Sequence, residues 1–267
     1  MNLIDNASQT LAELRKAAPL IHNMTNIVVA NTTANALLAI GASPAMVDDH
    51  EEAPELARVS GALVVNVGTV SRSQAEAMKL AVAVAKEASV PWVLDPVAVG
   101  ALSFRTQLAK ELLEHKPSVI RGNASEIMAL AGVAVGGKGV DSTNSSDEAL
   151  ASAKALAANS GAVIAISGPT DFVCDGERTV AIKNGDAMMP YVTGLGCTAT
   201  ALTGATLAVC KDPLLAAAYA LLYLGIAGEV AAQDCSGPAS LQLDIIDALY
   251  HLDETILHEK GEACFVS

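Results

Sequence analysis

The sequence predicts an α/β fold in which a central, mainly parallel β-sheet is flanked by helices on both faces. Two observations carry this. Short apolar runs alternate along the chain with longer Ala-rich stretches that place apolar residues at helical spacing. The composition is 52% hydrophobic but only 3% aromatic, so the core is filled by Ala, Val, Leu and Ile, a mixture suited to buried parallel strands covered by Ala-rich helices.

Taken in order, the expected strands are Leu20-Ile21, Pro44 to Val47, Ala62 to Val67, Trp92 to Leu94, Val119-Ile120 and Val163 to Ile166. Helices are expected over Asn26 to Ile40, Ser71 to Ala88, Ala101 to Glu114, Ala124 to Ala131, Ser146 to Asn159 and Thr198 to Val209. From Asp171 to Ile182 the pattern changes. There Asp175-Gly176 separates Phe172-Val173-Cys174 from Thr179 to Ile182, the signature of an antiparallel hairpin. Beyond Thr198 the strand signal vanishes, and helices broken at Pro213 and Gly237-Pro238 complete the chain through Ile256. No repeat or linker divides the chain, so residues 1–267 are read as a single domain. The longest loop, Gly132 to Ser146, is a candidate lid.

A formal net charge of −13 excludes the basic footprint that nucleic-acid binding needs. The cysteines Cys174, Cys197, Cys210, Cys235 and Cys264 lack zinc spacing and fit a reduced cytoplasm; the N-terminus lacks the pattern of a signal peptide. Tyr191 to Cys210 and Pro213 to Gly228 are uncharged and together mimic a membrane hairpin. The first carries several Thr and Gly, and the second is too short to span about 30 Å at about 1.5 Å per residue, so both read as buried helices.

The most informative segment is Gly194-Leu195-Gly196-Cys197, a Gly-rich turn opening into a helix. Unpaired N–H groups and the helix dipole at such a start suit a phosphate, although a tight turn with Cys197 as a small buried residue has the same signature. Gly132 to Gly139 nearly matches a P-loop. Gly139 replaces the hydroxyl residue that would hold Mg²⁺, and a helix rather than a strand precedes the segment, so the match is rejected.

Asp95 and Glu126 both follow strand ends, where ligands gather in parallel sheets; they suit Mg²⁺, a turn or a helix cap. Arg121 and Ser167 end two further strands and suit a polyphosphate. Asn23, Asn26 and Met46 could line a small-molecule pocket, or serve as caps and core. His22 reads as structural, since no second His lies at metal-ligand spacing.

Together Ile21-His22-Asn23-Met24-Thr25-Asn26, Gly41 to Met46, Asp95-Pro96-Val97, Arg121 to Glu126 and Gly194 to Cys197 resemble the hydroxyethylthiazole kinase family, in the same order and at compatible spacing. The resemblance implies a ribokinase-like fold and ATP-dependent phosphorylation of 4-methyl-5-(2-hydroxyethyl)thiazole in thiamine salvage. It assigns Met46 and Gly194 to the thiazole alcohol, Arg121 and Ser167 to ATP, and Asp95 with Glu126 to Mg²⁺. It also implies homotrimers with active sites between subunits. Asn23 is a further candidate for substrate binding, and Cys197 for catalysis. The wider ribokinase-like group carries an aspartate base where this chain has Cys197; the thiol would serve as a base if the helix start lowers its pKa.

Overall fold

The computed structural model describes residues 2–133 and 146–266. Nine strands form one sheet in the order β2-β1-β3-β4-β5-β6-β7-β8-β9. The strands β1 (Leu20–Met24), β2 (Ser43–Ala45), β3 (Ala62–Asn66), β4 (Trp92–Asp95), β5 (Val119–Asn123) and β6 (Val163–Ser167) run parallel. β7 (Asp171–Cys174), β8 (Thr179–Ile182) and β9 (Ala263–Val266) extend the sheet antiparallel.

One face is covered by α3 (Glu52–Val59), α4 (Arg72–Glu87), α5 (Ser103–Leu113), α6 (Ala124–Leu130) and α7 (Ser146–Ser160), which share a core with Leu63, Val65, Leu94, Ile120 and Ile164. The other is covered by α1 (Leu3–Ala17), α2 (Ala30–Ile40), α8 (Leu195–Leu207), α9 (Pro213–Ala232), α10 (Pro238–His251) and α11 (Glu254–Lys260), packed on Ile21, Val64, Val93, Val119 and Ala165. Successive strand residues thus enter opposite cores, the period-two rule in a sheet buried on both sides.

The structure corrects the sequence reading at several points. A strand does follow Thr198: β9 pairs with the free edge of β8, Phe265 opposite Val180. Helices α1 and α3 were not anticipated; α1 starts on a reciprocal cap in which Asn2 Oδ1 accepts from the Asp5 N–H at 2.8 Å and Asp5 Oδ2 from the Asn2 N–H at 3.2 Å. Helix α2 begins at Ala30 rather than Asn26. Helix α8 begins at Leu195 rather than Thr198, with the Thr198 N–H already donating to the Gly194 carbonyl at 2.9 Å. The length argument against a membrane span also fails, since α9 has 20 residues and is long and apolar enough to cross. Most of it is buried inside the protein, which identifies a core helix. Residues 134–145, which hold most of the candidate lid and of the rejected P-loop match, lie outside the described residues; the segment does follow helix α6.

Helix α8 lies unusually close to the sheet. A Cβ on Gly204 would sit 2.5 Å from Val64 Cγ2 and 3.4 Å from Ile21 Cγ2, so the backbone of α8 occupies space a side chain would need. Gly204→Leu should therefore push α8 off the sheet and destabilise the fold by about 1–3 kcal/mol or more, read as a lower urea midpoint at unchanged m-value.

Candidate active site

On the α8 side of the sheet, strand after strand ends in the same way. The apolar residue facing α8 is followed two positions later by a polar one: Ile21 then Asn23, Val64 then Asn66, Val93 then Asp95, Val119 then Arg121, Ala165 then Ser167. Alternation along each strand places all five polar residues on one face, toward the carboxyl ends of parallel strands, where open α/β sheets hold ligands. Asn66 lies opposite Asp95, whereas Asn23 lies opposite Val64 and Ser167 opposite Asn123; Arg121, expected to end its strand, lies inside β5 opposite Ala165, because the strand runs on through Gly122 and Asn123.

Helix α8 closes over this row with its N-terminus. Gly194 is the N-cap, at φ 84°, a left-handed conformation that favours glycine, and a Cβ there would collide with Val29 Cγ1. A Cβ on Gly196 would stand 2.5 Å from Arg121 Nη1, so the guanidinium lies directly on the backbone of the first turn. By helix geometry the leading N–H groups of this turn have no intrahelical acceptor. A buried Arg and a helix start converge on one place, a receptor for anionic oxygen.

Hydrogen bonds tie the row together. Asn66 Nδ2 donates to Asp95 Oδ2 at 2.7 Å, and Thr200 Oγ1 donates to the same oxygen at 2.8 Å. Asn26 Nδ2 reaches Asn66 Oδ1 at 3.1 Å and Cys197 Sγ at 3.3 Å. Arg121 Nη2 donates to Ser167 Oγ at 2.6 Å. At the β1 end, Asn23 Nδ2 donates to Thr33 Oγ1 at 3.0 Å and lies 3.6 Å from Met46 Sδ, which joins those two candidates. Of the buried side-chain atoms without a hydrogen-bond partner, two belong to this row: Asn23 Oδ1 and Arg121 Nε. Buried polar groups are rarely left so, and a catalytic role or a bound water or ion is among the reasons.

Electrostatics follow burial. Asp95 is pushed up to about 6, first by loss of solvent; the Arg121 charge pulls it down and Glu126 pushes it up. Cys197 is also raised, by burial and then by the Asp95 charge, against the Asn66 and Asn26 donors and Arg121. The condition under which the thiol would serve as a base, a pKa lowered by the helix start, is therefore not met in the empty site. His22 is structural, its Nε2 2.7 Å from the Val47 carbonyl and its pKa lowered by burial.

Glu126 is held as a cap. Its Oε1 accepts the Ala98 N–H at 2.8 Å and its Oε2 the Asn123 N–H at 3.0 Å. No group of three or more His, Cys, Asp or Glu side chains among the described residues could hold a metal by itself. The donor set instead suits a hydrated cation delivered with its phosphates, because both donors recorded on Asp95 reach Oδ2 and none reaches Oδ1. The sequence reading missed Asn66, Thr200 and Val29; Asn66 carries the same strand-end signature as Asp95.

The description "Hydroxyethylthiazole kinase family" matches residues 11–255. A hydroxyethylthiazole kinase of Granulibacter bethesdensis is 56% identical over 257 residues, covering 96% of this chain and 94% of the relative. One of Leptospira borgpetersenii is 53% identical over 244 residues, covering 91% of this chain and 92% of the relative. The solved structure of a hydroxyethylthiazole kinase protein from Pyrococcus horikoshii superposes with a TM-score of 0.92 at 38% identity, covering 98% of this chain and 100% of that one. Pyridoxal kinase from Staphylococcus aureus, solved with AMP-PCP, shares the fold at a TM-score of 0.64 and 17% identity, covering 92% of this chain and 98% of that one.

The raised Asp95 pKa gives a stability test. With a folded value of about 6 against the ordinary carboxylate value of 3.8, the folded state holds the extra proton, so stability falls as pH rises from about 4 through 6. Asp95→Asn keeps an oxygen for Asn66 and Thr200 without the charge. It should match the parent below about pH 4 and be roughly 1–3 kcal/mol more stable above pH 7 without ligands, by urea titration at both pH values.

Proposed function

Because the chain belongs to the hydroxyethylthiazole kinase family, we propose that it transfers the γ-phosphoryl group of ATP to the primary hydroxyl of 4-methyl-5-(2-hydroxyethyl)thiazole, a step of thiamine salvage. The observation that carries this reading is the buried Arg121 guanidinium lying on Gly196 at the open start of α8. Arg121 and Ser167 bind the nucleotide phosphates, and the unpartnered Arg121 Nε is one donor free for them. Met46, Asn23 and Gly194 bind the thiazole alcohol, with the Asn23 amide oriented by Thr33. Asp95 and Glu126 would hold Mg²⁺, which when bound would neutralise charge on the polyphosphate.

In this mechanism the alcohol oxygen attacks the γ-phosphorus in line. The N–H groups of the first turn of α8 and the Arg121 fork stabilise the charge on the transferring group without having to reorganise. In a loose transition state the alcohol proton leaves late, so a strong base adds little. Cys197, which burial and the Asp95 charge hold as a protonated thiol beside Asn26, can accept the alcohol proton only as the thiolate, after its own proton has passed to solvent.

The protein works as a homotrimer in the cytoplasm. Ile27 and Val28 are 78% and 60% exposed and immediately precede Val29, the residue packed on Gly194, so an apolar surface begins at the rim of the site, where a neighbouring copy would cover it. All five cysteines are unpaired, in keeping with a reducing compartment.

Incubation with Mg-ATP and a panel of alcohols, read by mass spectrometry, should phosphorylate the thiazole in preference to hydroxymethylpyrimidine or pyridoxal; a different preferred product would reassign the substrate. Cys197→Ala should slow turnover by less than the ~10²–10⁴-fold that a positioned base contributes, and Cys197→Asp should stay active because a carboxylate can take the same proton. An alanine variant as fast as the parent would take Cys197 out of the chemistry.

A further inference from the structure

A carboxylate outside the assigned set stands beside the nucleotide end of the site. Strand β7 begins at Asp171, and the antiparallel register of β6 and β7 pairs Ile166 with Phe172. Continued by one residue, that register sets Asp171 opposite Ser167, and directly opposed residues of a pair point to the same face. Val173, two positions along, lies in the α8-side core, so this face is the one that carries Arg121 and Ser167.

Its hydrogen bond is specific. Asp171 Oδ1 accepts the Gly168 N–H at 2.9 Å, closing the turn Gly168-Pro169-Thr170 that links the two strands. Pro169 has no N–H to give, so the turn has one backbone donor fewer than usual and the side chain of Asp171 takes up the first of those present. Gly168 follows Ser167, whose hydroxyl is already bonded to Arg121 Nη2 at 2.6 Å. A chain of contacts therefore runs from Asp171 through Gly168 and Ser167 to Arg121. Burial also pushes Asp171 up to about 6, against the Gly168 N–H and the Arg121 charge, so the site keeps an acid where its surroundings disfavour the charge.

We propose that Asp171 is a positioning residue for the nucleotide: its bond to the Gly168 N–H holds the Ser167–Gly168 turn so that the Ser167 hydroxyl and the Arg121 guanidinium face the phosphates of a nucleoside triphosphate. The proposal rests on the assignment of Arg121 and Ser167 to ATP. Asp171 does not touch the nucleotide; it acts through the turn.

The test is steady-state kinetics with ATP and the thiazole alcohol varied separately. Asp171→Ala should raise KM for ATP about tenfold, the weight of one lost hydrogen bond, with KM for the alcohol within twofold of the parent. Asp171→Asn, which keeps an oxygen for the Gly168 N–H, should bring KM for ATP back to within threefold. A loss shared equally by both substrates, or an asparagine variant no better than alanine, would overturn the proposal. Arg121→Ala separates the underlying assignment. If it raises KM for ATP and Asp171→Ala does not, Asp171 has no such role; if neither moves it, the nucleotide assignment fails and the proposal with it. Should the alanine variant lose its folded circular dichroism, Asp171→Ser is used, its hydroxyl being too short for the same bond.

Discussion

Everything in the site depends on how closely helix α8 approaches the sheet. Three glycines make that approach: Gly204 against Val64 and Ile21 and Gly196 against the Arg121 guanidinium bring α8 onto the strands, and Gly194 lets its start close against Val29, just before α2. In an interior packed at crystal-like density a methyl group is enough to hold a helix off its neighbour. With these side chains missing, the first turn of α8 comes down onto the polar strand ends, and its unpaired N–H groups share a space with Arg121. Gly194 does more than clear room, because its left-handed backbone turns the chain from the preceding segment into the helix start.

Bringing a helix over polar strand ends carries a cost that the surrounding residues offset. Asp95, Asn66, Asn23 and Arg121 are all buried, and a buried polar group without a partner costs roughly 1–3 kcal/mol. Asn66 and Thr200 converge on Asp95 Oδ2, and Asn26 links Asn66 to Cys197, so one network serves strands β3 and β4 and helix α8 together. The same network keeps the net charge of the site low, one arginine facing Asp95 with a second carboxylate nearby at Glu126. The donors it leaves open, Arg121 Nε and the leading N–H groups of α8, face the place where phosphate charge would arrive.

Much of this was legible in the sequence because it is local. The parallel strands, the late hairpin and the strand-end residues Asn23, Asp95, Arg121 and Ser167 all follow from an apolar alternation that ends in a polar side chain. Asn66 has the same signature but lay inside a longer expected strand, Ala62 to Val67, and read as an interior position. What could not be read depends on partners distant in sequence. Thr200 is a helical threonine until the fold sets it against Asp95, 105 residues away. Strand β9 is four residues long and exists because β8 offers it an edge. Helix α1 did leave a trace in its short polar start, the Asn2 and Asp5 spacing of a reciprocal cap.

Cys197 shows why position alone does not fix chemistry. At the third residue of α8 it sits where a helix dipole favours negative charge, an effect typically of about 0.3–1 kcal/mol at exposed ends and up to about 2 kcal/mol when partly buried. Opposing it are desolvation of the thiolate and the charge on Asp95, and these prevail, with the pKa moving up rather than down. A residue that stays protonated in the empty site cannot take the alcohol proton until it has given up its own. The work of catalysis then passes to groups whose charge is fixed in advance, the α8 backbone and Arg121, and these are the groups that the three glycines bring together.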